Sequence, residues 1–449
     1  MAGHGTQEME CCFVVPSEKT PKHVLWLSPL DIVLANRGAL TPLVHFYRRR
    51  HDAAGGGGGG GFFDVGRLKE ALAKALVAFY PLAGRFRVGG DGRPEIDCNA
   101  DGVFFAVARS ELAVDDVLTD LKPSPELKRL FIPRTEPPSA VLAVQVTFLR
   151  WGGIVLGTAM HHAAVDGHSI FHFLQTWAAF CRDGDAAVVE LPCHDRALLR
   201  ARPRLAIHPD ASSVFCPKLN LRPPSASGSG LISAKIFSIS NDQIATLKRI
   251  CGGGASTFSA VTALVWQCAC VARRLPLCSQ TLVRFPVNIR RRMRPPLPDR
   301  YFGNALVEVF AAAAVEDIVS GTLAAIAARI KGVIGRLNDD EMLRSAIDYN
   351  EMAGMPDRPD NGSLPETELR VVSWLGIPLY DAVDFGWGKP WAMSRAESLR
   401  GGFFYVMDGG AADGDGGDAA AVRVLMCMEA ANVEEFERLL RAKFVYPRI

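Results

Sequence analysis

Residues 154–182 read IVLGTAMHHAAVDGHSIFHFLQTWAAFCR, and this stretch determines which kind of fold the chain can adopt. The apolar run 154–160 predicts a buried strand, because it is short, continuous and bounded by polar residues. The segment after Asp166 has helical periodicity, and its apolar face consists of Ile170, Phe173, Leu174, Trp177 and Phe180. A strand that passes through a short turn into a helix indicates an α/β protein, with His162 at the end of the strand.

The flanking segments show the same mixture of strand and helix patterns. Residues 140–149 form a second apolar run, and Trp151-Gly152-Gly153 between the two runs predicts a hairpin of buried strands. Residues 68–79 have helical spacing and end at Tyr80-Pro81, which stops a helix. In the second half, the patterns predict helices over 242–250 and 256–274, a strand over 421–429 and a closing amphipathic helix over 433–443.

The chain divides into two halves. Residues 191–229 are rich in Pro, Arg and Ser and have weak periodicity, so we expect a crossover linker between a domain over 1–190 and a second over 230–449. Seven consecutive glycines at 55–61 and the Gly/Asp/Ala tract at 408–420 are predicted to be flexible surface loops. The glycine run has no lysine or Ser/Thr at phosphate-loop spacing, so no phosphate-binding role is expected.

The composition is that of a globular protein. The chain has 449 residues, of which 49% are apolar and 22% charged, and this excludes a disordered chain. A net charge of +2 with no basic run beyond 290–294 gives no support to nucleic-acid binding. Eleven scattered cysteines without a C-x-x-C pair favour reduced thiols and a cytoplasmic location. The uncharged stretch 252–272 predicts a buried helix, not a membrane span, and the N-terminus shows no apolar signal segment.

The histidines point to the first half as the source of any histidine chemistry. All ten precede residue 209, and four of them lie within 161–172. His162 lies where a strand hands over to a helix, a position that usually faces a crevice, and a neutral imidazole can accept a proton near pH 7. A metal site is an alternative, but the spacing from His162 to Asp166 spans a turn and no third ligand follows at the usual distance. A histidine group without function is the other alternative.

Two motifs connect these residues to a known family. His162-x-x-x-Asp166-Gly167, with Asp384-Phe385-Gly386-Trp387-Gly388 further on, resembles the signature pair of the plant BAHD acyl-CoA-dependent acyltransferases. The resemblance extends over nearly the whole chain. Within the family, the chain is similar in particular to the grass amine N-hydroxycinnamoyltransferases. Its further segments are SPLD at 28–31, YPLAGR at 80–85, STF at 256–258 and VNIRRRMRPPLPDRYFGN at 287–304.

The resemblance implies a fold and a mechanism. The fold would be two pseudo-symmetric chloramphenicol-acetyltransferase-like α/β domains with a central solvent channel, and His162 would lie in that channel. His162 would take the proton from the acceptor as it attacks the thioester, with no acyl-enzyme, no metal and no cofactor beyond the co-substrate acyl-CoA. The protein would be a monomer with two small-molecule substrates.

The remaining motif residues have supporting roles in this interpretation. Asp384 is a second candidate for catalysis, although Gly386, Trp387 and Gly388 make its segment read as a tight structural loop. Asp166 and Gly167 would hold the turn after His162, and the family pairs this aspartate with an arginine, for which Arg290 and Arg292 are the candidates. Ser256 and Thr257 open a predicted helix and are candidates for CoA binding.

Departures from the family pattern concern the acceptor. Members that acylate shikimate or quinate have an arginine where this chain has Gly376, so a clamp for a carboxylate is missing. His45, four residues after Thr41, replaces a tyrosine of the acceptor pocket, and Trp374 is a candidate wall for the acyl ring. We therefore expect transfer of a coumaroyl- or feruloyl-type group to an amine such as putrescine, agmatine or tryptamine. Candidate carboxylates for binding that amine are Asp348, Glu351 and Asp381.

Three alternatives remain at this point. The acceptor could be an alcohol, which the motifs do not distinguish from an amine. Peptide-condensation domains share His-His-x-x-x-Asp-Gly, although they do not account for 384–388. A non-catalytic relative that binds acyl-CoA or a protein partner is the third alternative, and an intact His162 argues against it.

Overall fold

The structure, a computed structural model, describes residues 6–35, 40–48, 63–118, 122–134, 139–215, 221–222, 231–354, 362–396, 399–409 and 422–445. The glycine run 55–61 and most of the tract 408–420 lie outside these ranges. The chain forms two compact units. The N-terminal unit comprises Met1–Arg200, Pro298–Asn304 and Pro378–Ser398, and the C-terminal unit comprises Ala201–Leu297, Ala305–Ile377 and Leu399–Ile449.

The secondary structure alternates between strands and helices, as the sequence predicts. The strands are β1 Thr6–Val14, β2 Val24–Trp26, β3 Leu40–Tyr47, β4 Arg85–Val88, β5 Pro94–Asp97, β6 Val103–Ala113, β7 Leu142–Arg150, β8 Ile154–His161, β9 Ile232–Ile239, β10 Gln280–Asn288, β11 Leu306–Ala314, β12 Glu368–Trp374, β13 Ala392–Arg395, β14 Phe403–Asp408 and β15 Val422–Glu429. The helices are α1 Pro29–Ile32, α2 Val65–Ala78, α3 Val114–Leu118, α4 Pro125–Phe131, α5 Gly167–Asp183, α6 Asn241–Ile250, α7 Thr257–Ala272, α8 Val315–Ser320, α9 Leu323–Arg336, α10 Asp340–Ala353 and α11 Val433–Val445.

The N-terminal unit is built on a mixed sheet with the strand order β1-β6-β7-β8-β3-β13. The predicted hairpin is present as the antiparallel pair β7 and β8, and β6 runs parallel to β7. Helix α4 covers one face, where Phe131 packs against Phe46 with ring centroids 6.0 Å apart. Helices α2 and α5 pack together, and the Trp177 indole donates a hydrogen bond to the Leu68 carbonyl at 3.0 Å. Because both sheet faces are covered, β8 is buried along its whole length.

The C-terminal unit has its own mixed sheet, with the order β11-β10-β12-β14-β15-β9. Strands β10, β12 and β14 are parallel to one another, and the outer pairs are antiparallel. The uncharged stretch predicted as a buried helix forms α7, whose residues from Ser259 to Cys270 are all buried. Within the described residues, no helix is both long enough and apolar enough to cross a membrane.

The boundary between the units differs from the sequence expectation in three ways, one of which is that residues 298–304 belong to the N-terminal unit. It lies between Arg200 and Ala201, inside the segment 191–229, so the first part of this segment belongs to the N-terminal unit. Residues 378–398, which include the Asp384 motif, also group with that unit although they come late in the chain. The reason is β13, which adds to the sheet edge by antiparallel pairing with β3.

Candidate active site

The turn that carries His162 joins β8 to α5 in the N-terminal unit. Two backbone hydrogen bonds shape it, from the Ala164 N–H to the His161 carbonyl at 2.9 Å and from the Val165 N–H to the His162 carbonyl at 3.3 Å. Asp166 ends the turn as the N-cap of α5, since its carboxylate accepts a hydrogen bond from the Ser169 N–H at 3.0 Å. His162 itself is half-buried.

The neighbouring His161 has a structural environment. Its ring stacks on Phe86 with centroids 4.1 Å apart, and its Nδ1 accepts a hydrogen bond from the Ala163 N–H at 3.3 Å. Burial, with a smaller contribution from the charge of His162, lowers the pKa of His161 to about 4, so this ring is neutral at pH 7. Of the two adjacent histidines, His162 is therefore the candidate base.

Asp166 is fully buried, and its carboxylate caps the N-terminus of α5, in which Gly167 is the first helical residue. Arg290 is buried in the C-terminal unit. The Arg292 guanidinium donates to the Asn338 side chain and to the Ile334 carbonyl. Pairing of Asp166 with either arginine stays a prediction.

The Asp384 motif forms a tight loop closed by its own carboxylate. Asp384 Oδ1 accepts hydrogen bonds from the backbone N–H groups of Gly386, at 2.9 Å, and Gly388, at 3.1 Å. Both glycines have positive φ, +97° and +100°, which a residue with a side chain adopts only with strain. Arg182 on α5 donates to the Asp384 carbonyl at 3.0 Å. The conformation of the loop is therefore held by the Asp384 carboxylate, by the two glycines with positive φ and by Arg182.

Two aromatic residues fix this loop to the helices of the N-terminal unit. Phe385 is fully buried, with its ring 4.9 Å from Trp177 of α5. Trp387 stacks on Phe63 at 4.8 Å, and the Arg67 guanidinium of α2 lies 5.1 Å from the centre of the indole ring. Burial of the Phe385 ring and the stacking of Trp387 account for the position of a segment that joins this unit from far along the chain.

The predicted pocket residues on β3 are buried in the sheet. Thr41 pairs with Met160 of β8, and His45 pairs with Leu156 of β8 and Met393 of β13. His45 is completely buried, and neither ring nitrogen has a hydrogen-bond partner within the described part of the chain. Burial lowers its pKa to about 3, so His45 is an uncharged polar group in an apolar layer.

Trp374 and Gly376 lie at the C-terminal end of β12 in the C-terminal unit. Trp374 is buried, and its ring lies 6.2 Å from that of Tyr405. Gly376 has a φ of +75° in the turn that follows, and its N–H donates to Asp408 Oδ2 at 2.6 Å. Apart from its chain neighbours, no atom of the described residues lies within 4 Å of a Cβ built on Gly376.

Ser256 and Thr257 mark the start of α7. The Ser256 hydroxyl is the N-cap and accepts a hydrogen bond from the Ser259 N–H at 3.0 Å, and Thr257 is the first helical residue. The predicted helix start is confirmed. Binding of CoA at these residues stays a prediction.

The three carboxylates expected to bind an amine have different surroundings. Asp348 is buried and already occupied, because it accepts from the Arg202 guanidinium at 2.6 Å and from the N–H groups of Arg202 and Ala206. The expectation that Asp348 binds an amine is therefore wrong. Asp381 is exposed and pairs with Lys389 at 2.5 Å, and Glu351 is half-buried on α10.

The sequence interpretation missed three residues beside the His162 turn: Arg196 and Asn304, which donate to its backbone carbonyls, and Asp31, which contacts both of them. Asp31 and Asn304 lie in segments quoted above for their resemblance, but no role followed from that. A signal was available for Asp31, because Ser28-x-x-Asp31 matches a capping box. Nothing local marks Arg196, which lies in the segment expected to be a linker. Among the described residues, no three His, Cys, Asp or Glu side chains converge as metal ligands.

Comparison with known proteins identifies the family. The sequence model of the Transferase family matches residues 7–441. The chain belongs to this family, the BAHD acyltransferases. It is 41% identical to putrescine hydroxycinnamoyltransferase 1 of Oryza sativa over 94% of this chain and 96% of that protein. It is 45% identical to putrescine hydroxycinnamoyltransferase 2 of the same species over 59% of this chain and 82% of that protein.

A solved structure confirms the fold class. Vinorine synthase superimposes with a TM-score of 0.70 over 96% of both chains, at 23% sequence identity. The predicted BAHD membership and the α/β fold are both confirmed, and the protein is an acyltransferase.

Proposed function

We propose that the protein transfers a hydroxycinnamoyl group from a CoA thioester to an aliphatic amine such as putrescine or agmatine, with His162 as the general base. The two rice relatives support the acyl group and the acceptor class, because both are putrescine hydroxycinnamoyltransferases by name. Tryptamine is a further candidate acceptor.

The contact between Gly376 and Asp408 carries the choice of acceptor. At the position where shikimate- or quinate-specific members would place a guanidinium, this chain has no side chain, and the Asp408 carboxylate lies 2.6 Å from the Gly376 nitrogen. A carboxylate attracts an ammonium or guanidinium group and repels an acid. The local charge therefore favours a cationic acceptor over a carboxylic one.

His162 supplies the proton transfer. The acceptor nitrogen attacks the thioester carbonyl carbon while the His162 imidazole takes a proton from that nitrogen. The tetrahedral intermediate then collapses, the C–S bond breaks, and the imidazolium returns the proton to the CoA thiolate. The products are an amide and free CoA, and no acyl group is attached to the enzyme at any stage. The channel in which this would occur, implied by the resemblance, stays a prediction.

The protonation of the amine sets a further requirement. An aliphatic amine has a pKa near 10, so only about one molecule in a thousand has a free electron pair at pH 7. For a diamine such as putrescine, a carboxylate can bind the distal ammonium while the reacting nitrogen is neutral. We assign Asp408 to the distal group. Thr41 and His45 are proposed for the acceptor pocket, Trp374 as a wall for the acyl ring, and Ser256 and Thr257 to bind CoA.

A thiol-release assay with coumaroyl-CoA tests the proposal. The acceptors are putrescine, agmatine, tryptamine and shikimate, and His162→Ala is the control variant. We expect turnover with at least one amine and none with shikimate, and a loss of about 10²- to 10⁴-fold in the variant. Turnover of shikimate in preference to the amines would contradict the acceptor assignment. Undiminished activity of His162→Ala would contradict the mechanism.

A further inference from the structure

Asp31 and Arg196 form a buried ion pair next to the His162 turn. The side chains of Asp31 and Arg196 have relative exposures of 0% and 1%, and Arg196 Nη1 lies 2.7 Å from Asp31 Oδ1. The other oxygen, Oδ2, accepts hydrogen bonds from the Ser28 N–H at 2.9 Å and the Ser28 hydroxyl at 2.7 Å. Segments far apart in the sequence therefore meet at one carboxylate.

Asn304 joins this pair. Its backbone N–H and its Nδ2 both donate to Asp31 Oδ1, at 3.0 and 2.8 Å. The two partners of the Asn304 side-chain amide are the Asp31 carboxylate and the His162 backbone carbonyl, and both are acceptors. The amide can therefore face them only with its NH₂ group. Asn304 is fully buried, so water cannot take over these bonds.

Two hydrogen bonds link the cluster to the turn. Asn304 Nδ2 donates to the His162 carbonyl and Arg196 Nη2 donates to the Ala164 carbonyl, both at 2.8 Å. Gly303 allows this approach, since a Cβ at that position would lie 2.5 Å from the Arg196 guanidinium. The backbone on both sides of Ala163 is thus held by donors that are themselves fixed by Asp31.

A buried ion pair is a poor source of stability, because desolvation of both charges offsets their attraction. Its advantage is directional, since the donors and acceptors of a buried network constrain one another's orientation. A displacement of a catalytic group by about 1 Å can reduce a rate about 100-fold. The cluster therefore has the properties required to hold a catalytic side chain in one place.

We propose that Asp31, Arg196 and Asn304 are positioning residues that set the orientation of the His162 imidazole through the backbone of its turn. The inference rests on the proposed function in one respect, namely that His162 is the base. It extends that function, because it assigns a role to residues that do not touch the substrates.

The test compares Asn304→Ala with Asn350→Ala. Asn350 is also buried, and its Nδ2 also donates to a backbone carbonyl, that of Ala346 at 2.7 Å, but it lies on α10 in the C-terminal unit. Both variants lose a buried donor to a backbone carbonyl, and Asn304→Ala also loses the bond to Asp31 Oδ1. For Asn304→Ala we expect kcat to fall about 10- to 100-fold, with KM for coumaroyl-CoA changed less than about twofold. For Asn350→Ala we expect a fall in Tm with kcat unchanged.

A second measurement does not depend on turnover. In protein labelled with ¹³C at histidine, the His162 resonance is assigned by its absence from His162→Gln. It should shift in Asn304→Ala and stay in place in Asn350→Ala. Should wild-type protein acylate none of the amines, the acceptor proposal fails, and this resonance alone decides the positioning proposal.

Arg196→Lys provides a second variant in case Asn304→Ala does not fold. A lysine keeps the charge opposite Asp31 but cannot also donate to the Ala164 carbonyl in the same geometry, so a smaller loss of kcat and a smaller shift are expected. An unshifted His162 resonance with unchanged kcat in these variants would overturn the proposal. Equal losses of kcat in Asn304→Ala and Asn350→Ala would also overturn it, because activity would then follow stability alone.

Discussion

The role of Asp384 can be decided by removing its charge while keeping its shape. In the loop, Asp384 Oδ1 accepts the N–H groups of Gly386 and Gly388. An asparagine places a carbonyl oxygen at the same point and lacks only the charge, whereas an alanine removes the acceptor. If the loop geometry is what matters, Asp384→Asn should resemble the wild-type enzyme and Asp384→Ala should not.

The magnitudes follow from the two hydrogen bonds. A bond to a charged acceptor contributes about 1.5–3 kcal/mol and a neutral one about 0.5–1.5 kcal/mol. Because Asp384 is only half-buried, we take the lower values and expect a loss of about 1–2 kcal/mol of stability for Asp384→Asn and about 3 kcal/mol for Asp384→Ala. We expect Asp384→Asn to keep kcat within about threefold, which corresponds to about 0.6 kcal/mol in the activation barrier.

Thiol release from coumaroyl-CoA with putrescine gives kcat for both variants, and thermal unfolding gives their stability. A charge that takes part in proton transfer contributes about 10²- to 10⁴-fold. A loss of that size in Asp384→Asn, with Tm close to wild type, would refute the structural interpretation and make Asp384 part of the catalytic apparatus.

Two further predictions concern stability at low pH and acceptor charge. The pKa of His161 is about 4 in the folded protein and near 6.5 when unfolded, so its contribution is complete above pH 6.5 and is lost as the pH falls towards 4. Denaturant unfolding of His161→Phe should therefore show a difference in unfolding free energy between pH 7.5 and 5.5 that is smaller by about 1 kcal/mol than in wild type, and an equal difference would contradict a neutral His161. Gly376→Arg should fold with a strain of about 1 kcal/mol at its positive φ and place a cation beside Asp408. Putrescine turnover should then fall at least about tenfold, and unchanged turnover would remove Asp408 from the acceptor site.

The local elements could be predicted because short-range patterns cause them. The apolar positions from Leu68 to Phe79 define α2, since one face of a helix must be buried, and the chain stops the helix at Tyr80-Pro81 as expected. The turn at His162 could also be predicted, because a buried strand ends there and a helical pattern begins after Asp166. The N-cap role of Asp166 is seen only in the structure.

Contacts between segments that are distant in the sequence could not be predicted from it. From the sequence, Asp348 is a carboxylate available to bind a ligand, but in the structure it accepts a hydrogen bond from the Arg202 guanidinium. The two residues are 146 positions apart, and no local sequence pattern predicts such a pair. The position of residues 378–398 in the N-terminal unit depends on the pairing of β13 with β3. A strand of four residues is too short for its sequence pattern to predict its partner strand.

The sequence by itself determined several of the strands and helices, the two motifs and the choice of His162 as the candidate base, since periodicity and spacing act over a few residues. Only the tertiary structure decided that Asp31, Arg196 and Asn304 meet behind that histidine. A buried charge must find its partner wherever the fold brings one, and that choice is made by packing and desolvation over the whole unit.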